Sequence, residues 1–240
     1  MLPETFWGRI QYLLQQYGAS FLSGAGNTMI IAIVGTFLGC LIGFIVGIIQ
    51  TIPVDQRDST VKKTLVGILK FIMACYVEFF RGTPMMVQLL IMWFVVWASA
   101  RATDSNMIRC AILAFGINSG AYVAEIIRSG IMSIDKGQME AGRSVGLTYA
   151  TTMRCVIIPQ AFKNVLPALG NELITLLKET SVVTVIGLRD LTKGALIIQS
   201  KTYQAFVPFF AIAAMYLVMV LGLSWLMGKL ERRMRQSDLR

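Results

Sequence analysis

The chain has no histidine in 240 residues, and only four cysteines, six prolines and 13 acidic residues. Each shortage excludes something. Without histidine it lacks the usual general base at neutral pH and the commonest transition-metal ligand, which argues against an intramembrane hydrolase or a metal site. Cys40, Cys75, Cys110 and Cys155 are scattered in or beside apolar sequence, and no C-x-x-C spacing marks a zinc site or redox pair. Packed free thiols are expected. Charge is scarce as well: 15% of residues are charged against 55% hydrophobic, at a mean hydropathy of +0.65. That balance favours a membrane bundle over a soluble domain of the same length.

What is present bears this out in pattern. Thr28 to Gln50 and Pro208 to Gly228 carry no charged residue, and a bilayer-crossing helix needs about 20 such positions. Several runs of this kind could not share one small soluble interior. Five spans are expected, at about 24–50, 64–98, 107–133, 158–186 and 205–228, in an all-α polytopic protein. Residues 1–23 are no cleavable signal, because Glu4 and Arg9 interrupt any apolar region. Phe6, Ile10, Leu13, Leu14 and Tyr17 recur at helical spacing instead, which predicts an amphipathic interfacial helix on the membrane surface.

The net charge of +9 does not indicate nucleic acid, since no basic stripe with interleaved aromatics occurs on a soluble segment. Lys229, Arg232, Arg233, Arg235 and Arg240 crowd into a tail, 229–240, just after the last span. The positive-inside rule puts that tail in the cytoplasm, along with the loop holding Arg57, Lys62 and Lys63 and the segment 134–157. Arg189, Lys193 and Lys201 then fall outside and weigh the other way. With five spans, the N-terminus is expected outside. The second span would run on the order of 55 Å at ~1.5 Å per residue, too long for a simple crossing, and Pro84 is its natural kink. Gly35, Gly39, Gly43 and Gly47 line one strip of the first span. Such a strip makes either a tight packing seam or a surface that slides.

Ionisable residues inside apolar spans cost roughly 2.5–3.5 kcal/mol each on insertion scales, so each needs a reason. Glu78 with Arg81, and Glu125 with Arg128, stand three apart and share a helix face. They predict two local ion pairs or one four-charge cluster that rearranges at an inner gate. The fourth span is the most polar, with Asn171, Glu172, Thr175, Lys178, Glu179, Thr180 and Ser181. A polar stripe of this kind lines a water-filled path, or forms an interhelical hydrogen-bond seam. Gln88 and Asn118 are weaker companions on the second and third spans. Lys178 and Ser181 could form a Ser/Lys dyad, but no oxyanion motif supports nucleophilic catalysis. An ion- or proton-coupled secondary transporter is the alternative reading, and it normally carries more helices or internal repeats.

One passage remains: "MEAGRSVG" followed by "VIIP", in the polar segment between the third and fourth spans. It resembles the cytoplasmic E-A-A-x3-G-x9-I-x-L-P signature of bacterial ABC-importer permeases. Glu140, Ala141 and Gly142 stand for E-A-A, Gly146 for the glycine, and Val156, Ile158 and Pro159 for the end. Gly142 departs from the usual alanine. "EFFRGTPMMVQLL", "AYVAEIIRSGIMSIDKGQMEAG", "IIPQAFKNVLPALGNE" and "LLKETS" resemble the polar amino-acid uptake subfamily, which serves substrates such as His, Arg, Gln, Glu and cystine. The resemblance covers nearly all of residues 20–230.

The resemblance implies a type I, MetI-like permease in the bacterial inner membrane. It implies a dimer with a second copy or a paralogous permease, two ABC ATPases below, and an extracellular or periplasmic amino-acid-binding protein. Gly137, Glu140, Ala141, Gly142, Arg143 and Gly146 would couple to the ATPase, with Glu140 capping a helix start or pairing with a basic group there. Gly146 would give a tight turn or a close backbone approach. Glu172 would read an α-amino or cationic group. The chain has no G-x-x-x-x-G-K-[ST] loop, so ATP and Mg would be bound by the partner ATPase, with no cofactor in this chain.

Overall fold

A computed structural model describes residues 5–55 and 58–235, and every described regular element is helical. Glu4, Arg57 and Arg240, singled out above, lie outside these residues. The elements are α1 Phe6–Thr51, α2 Thr60–Gly82, α3 Met85–Ile91, α4 Asp104–Met132, α5 Lys136–Ser144, α6 Tyr149–Thr152, α7 Ile158–Glu179, α8 Leu191–Thr202 and α9 Phe206–Arg235. Single π-helical turns follow α3 (Met92–Val96) and α6 (Met153–Ile157), and a 3₁₀ stretch, Thr180–Ile186, extends α7.

α1 runs through residue 23, where the interfacial segment was expected to give way to the first span. It is one unbroken helix of 46 residues, about 69 Å long at 1.5 Å per residue. Gly18, Gly24 and Gly26 weaken a helix without ending it, and no proline intervenes. Leu13 and Phe21 are buried with Leu191, Ala195 and Ile198 of α8 and Val207 and Ile212 of α9, and Ile10 and Tyr17 pack against the same cluster. Leu14 stays exposed.

Among the described residues three helices are long and apolar enough to cross a membrane, Trp7–Thr51, Asp104–Met132 and Phe206–Met234. A fourth arises if the broken pair Thr60–Gly82 and Met85–Val96 counts as one span. α7 is not among them, because Lys163, Glu172, Lys178 and Glu179 dilute its apolar content. The kink expected at Pro84 is a full break. α2 ends at Gly82, and Thr83 is extended (φ −118°, ψ 146°), as the proline ring requires of its predecessor. Pro84 has no N–H for the Phe80 carbonyl. The Asn118 side-chain amide donates to that carbonyl instead (3.1 Å), and the Thr83 hydroxyl donates to Phe79 O (2.8 Å).

The described chain divides into two compact units. One comprises Met1–Gly35, Met85–Phe115 and Leu173–Trp225. Its core joins Ile31, Leu89, Trp93, Phe115, Leu177 and Leu188. Asp190, almost fully buried, caps α8 by accepting from the N–H groups of Lys193 (2.8 Å) and Thr192 (3.1 Å). Asn27 of α1 donates to the neighbouring Arg189 carbonyl at 2.8 Å. A Cβ on Gly24 would lie 2.8 Å from the Asp190 carbonyl oxygen, so only glycine lets α1 come this close.

The other unit comprises Thr36–Pro84, Gly116–Glu172 and Leu226–Arg240. Here the glycine strip is a packed seam. A Cβ on Gly39, Gly43 or Gly47 would fall 2.8, 2.5 or 2.8 Å from Ser119, Val123 and Ile127 of α4. α4 returns the fit, since Gly116 and Gly120 receive Leu38 and Ile42 of α1. Small residues facing large ones on both helices let the backbones approach, where dispersion replaces the missing hydrophobic drive.

Candidate functional site

The polar segment 134–157 folds as a short, well-terminated helix. Asp135 caps α5, its carboxylate accepting from Gly137 N–H at 2.6 Å. This corrects the capping role expected of Glu140, which sits mid-helix and exposed; a residue four places into the helix has passed the unsatisfied N–H groups. At the other end Gly146 has φ +85°. Leu147 N–H bonds Gly142 O and Gly146 N–H bonds Arg143 O, both at 3.1 Å. That pattern is a Schellman termination, which needs the left-handed residue glycine supplies. No atom lies within 4 Å of a Cβ built on Gly146, so the turn, not a close approach, is its use within this chain.

Gly137, Glu140, Ala141, Arg143 and Gly146 are all exposed, while Gly142 faces inward and is buried. The inward face explains the departure from alanine. A Cβ at Gly142 would lie 2.5 Å from Thr152 Cγ2 and 2.8 Å from its Oγ1. Thr152 has no exposed surface, and its hydroxyl is held by Thr148 O at 3.0 Å. Sequence reasoning missed Asp135 and Thr152. Asp directly before a polar helical run was a usable capping signal; nothing marked Thr152 as the neighbour of Gly142.

Of the two expected ion pairs, one forms. Arg128 donates through Nε and Nη2 to the two carboxylate oxygens of Glu125, at 2.9 and 2.6 Å. No ion pair joins Glu78 to Arg81, which corrects that expectation. The Arg81 guanidinium lies over the Tyr122 ring, 5.6 Å from its centroid, a cation–π contact in place of the carboxylate. Tyr122 was not foreseen, since an aromatic within an apolar span carries no separate signal.

α7 carries the polar stripe. Asn171, Thr175 and Lys178 are exposed along one face, and Glu179 is exposed at the helix end. Glu172 is half-buried and accepts from the Ser119 hydroxyl at 2.8 Å, a partner that sequence reasoning missed. Ser181 lies beyond the α-helix in the 3₁₀ stretch, half-buried. Gln88 and Asn118 are buried rather than on an exposed face, and Asn118 serves the Phe80 carbonyl. Thus the structure brings Glu172 to Ser119 and sets Asn171, Thr175 and Lys178 on an open polar face.

Known proteins resemble this chain in sequence and in fold. The family described as binding-protein-dependent transport system inner membrane components matches residues 64–236. The chain belongs to that family. The permease is 36% identical over 217 residues to the arginine transport system permease protein ArtQ of Bacillus subtilis, covering 90% of this chain and 93% of that one. It is 34% identical over 214 residues to the glutamine transport system permease protein GlnP of Escherichia coli, covering 89% and 92%. Among solved structures, an amino acid ABC transporter crystallised with histidines superposes with a TM-score of 0.79 at 42% identity, over 92% of this chain and 97% of that one. The inward-facing MetNI methionine ABC transporter gives 0.74 at 19% identity, over 90% and 97%, a likeness of fold. The all-helical MetI-like permease fold is therefore established, in a membrane protein that is a transport permease and not itself an enzyme. The secondary-transporter alternative falls with that membership.

Proposed function

We propose that the permease carries a polar amino acid into the cell as half of a dimeric path, formed with a second copy or a paralogous permease. An ABC ATPase dimer holding ATP and Mg grips it from the cytoplasm, and an extracellular or periplasmic amino-acid-binding protein delivers the substrate. Five crossings serve this reading. α1, α4 and α9 cross directly, α2 with α3 crosses as a broken span, and α7 is the fifth, polar because it lines the path. The N-terminus lies outside and the basic tail inside. Because α1 exceeds the hydrocarbon thickness of about 30 Å, its first turns stand at the outer interface.

The observation that carries the substrate class is Glu172, a carboxylate positioned by Ser119 on a helix whose exposed face holds Asn171, Thr175 and Lys178. A carboxylate suits an ammonium or guanidinium group, which it binds through charge-assisted hydrogen bonds. Two relatives are named for arginine and glutamine, which supports the same class. Gln88, Asn118, Glu179 and Ser181 complete the proposed lining or hold it in place. Glu125, Arg128, Arg81 and Glu78 form the inner gate, where Arg81 leaves Tyr122 for a carboxylate as the path changes access.

On the cytoplasmic side Gly137, Glu140, Ala141, Arg143 and Gly146 present α5 to the ATPase, and Gly142 seats it. The deciding experiment copurifies the complex from its native operon, reconstitutes it in proteoliposomes, and measures uptake and ATPase activity across the amino acids. One polar amino acid should stimulate both. Glu172→Gln should leave the complex assembled and cut uptake by at least tenfold; uptake at the wild-type rate would remove Glu172 from the path.

A further inference from the structure

A cavity of about 390 Å³ opens where α4 and α9 end and α7 begins. That volume lies within the range of small-molecule sites, about 300–1,000 Å³. Ser133 directly follows α4, Lys163, Asn164, Leu166 and Pro167 come from the first half of α7, and Glu231 and Met234 from the last turns of α9. The lining thus holds one ammonium and one carboxylate. Lys163 and Glu231 each also make an interaction within the chain. An ammonium has three donors and a carboxylate about four lone-pair sites, so both have capacity for a ligand as well. The Asn164 amide has a fixed orientation. The Ser133 hydroxyl donates to Gly130 O at 2.8 Å, so its oxygen accepts, and Asn164 Nδ2 donates to it at 3.2 Å. Asn164 Oδ1 is thereby left as an acceptor, on an exposed residue. A carboxylate with an amide oxygen suits an ammonium group, and the Lys163 ammonium suits a carboxylate. Together they match a zwitterion rather than a single charge. Asn164 also stands two helical turns before Asn171, on the face that continues through Thr175 and Lys178. The cavity therefore lies about 12 Å along α7 from Glu172, at 1.5 Å per residue.

We propose that this cavity is an exit site for the carried amino acid. It would hold the groups that all free α-amino acids share, the α-carboxylate on Lys163 and the α-ammonium on Glu231 and Asn164 Oδ1, before release to the cytoplasm. The proposal rests on the amino-acid path described above. The ethanolamine-phosphate headgroup of a lipid carries the same two charges. The free amino acid is favoured because, among the described lining residues, only Leu166, Pro167 and Met234 are apolar, too few to seat acyl chains. The test measures binding without transport or ATP, so the two readings fail separately.

The permease carrying Glu172→Gln, copurified with its ATPase, is dialysed to equilibrium against radiolabelled L-arginine and L-glutamine. At least one of the two should bind saturably. In that background Lys163→Met and Glu231→Gln should each weaken binding about tenfold, the worth of one charge-assisted hydrogen bond, and Asn164→Leu about fivefold. Lys163→Arg, which keeps the charge, should retain most of the affinity and so separates loss of the site from loss of the fold. Agmatine, which is arginine without its carboxylate, should bind at least tenfold more weakly than arginine. No saturable binding in the Glu172→Gln complex, unchanged affinity in both Lys163→Met and Glu231→Gln, or displacement of the amino acid by an equal concentration of glycerophosphoethanolamine would each overturn the proposal. None of these results bears on whether Glu172→Gln lowers uptake, which tests the path itself.

Discussion

Replacing Gly142 by alanine should destabilise this permease, although alanine is the residue its signature usually carries. On helix propensity alone the change is favourable by about 1 kcal/mol. Packing opposes it. The new Cβ would sit 2.5 Å from Thr152 Cγ2, 2.8 Å from Oγ1 and 3.2 Å from Cβ, all inside contact distance. Thr152 has no free rotamer to retreat into, being fully buried with its hydroxyl donated to Thr148 O. Overpacking of this kind costs about 1–3 kcal/mol, so the net loss should be about 0–2 kcal/mol. Thr152→Ala removes both offending atoms and leaves the 3.2 Å approach, which a shift of a few tenths of an ångström relieves. In that background Gly142→Ala should become neutral or stabilising.

The quantity to measure is therefore the coupling between the two sites, about 1–3 kcal/mol of opposite sign to the single-site losses. Scanning fluorimetry of the four purified variants reads it as an apparent Tm, at ~2–4 °C per kcal/mol for a domain of this size. ATPase copurification reads whether α5 keeps its seat. If Gly142→Ala raises Tm equally with and without Thr152, the close contact plays no part and the reasoning fails.

Three further tests follow from other contacts. Gly43→Leu should prevent assembly of the α1–α4 seam, because even a Cβ would fall 2.5 Å from Val123 Cβ and 2.8 Å from the Ala124 backbone nitrogen; membrane expression at the wild-type level would count against direct packing. Asn118→Leu should lose about 1 kcal/mol by removing its hydrogen bond to the Phe80 carbonyl, and should lose less in a Pro84→Ala background that restores a backbone donor. Burial raises the Asp190 carboxyl above its usual pKa, against the opposing hydrogen bonds from Lys193 and Thr192. The folded state then holds the proton more tightly, so stability should fall as pH rises through the folded pKa. Asp190→Asn should flatten that dependence while keeping the cap, whereas Asp190→Ala should cost ~1 kcal/mol at all pH values; an unchanged Tm–pH profile in Asp190→Asn would show that another group is responsible.

Much of this architecture was legible in the sequence because hydropathy and glycine spacing are local patterns. The 35/39/43/47 repeat announced a close helix contact, and the structure supplies its partners, Ser119, Val123 and Ile127. Pro84 announced a discontinuity. What remained hidden depends on residues distant in the chain. Glu78 and Arg81 have ion-pair spacing, yet Arg81 is taken by Tyr122, 41 positions on. α1 could not be read as one helix, because the partners that bury Leu13 and Phe21 lie near the other end of the sequence. Within the site, α5 and its terminating glycine were readable from the motif, while the reason for Gly142 depended on Thr152.

That contact also bears on how force passes through the molecule. A surface helix gripped by an ATPase transmits motion only if it neither frays nor slides on its own support. Fraying is opposed at both ends, by the Asp135 carboxylate and by the Gly146 turn. Sliding is opposed by Gly142, whose missing side chain lets the α5 backbone rest on the buried Thr152. Thr152 leads without interruption through the π-helical turn Met153–Ile157 into α7, the helix that carries Glu172. On the function proposed, loosening the seat should therefore separate ATP hydrolysis from uptake before it abolishes either. Thr152→Ala alone, which opens space beside Gly142, should lower the amino acid taken up per ATP hydrolysed while the complex still assembles. An unchanged ratio would mean that the force reaches α7 by another route.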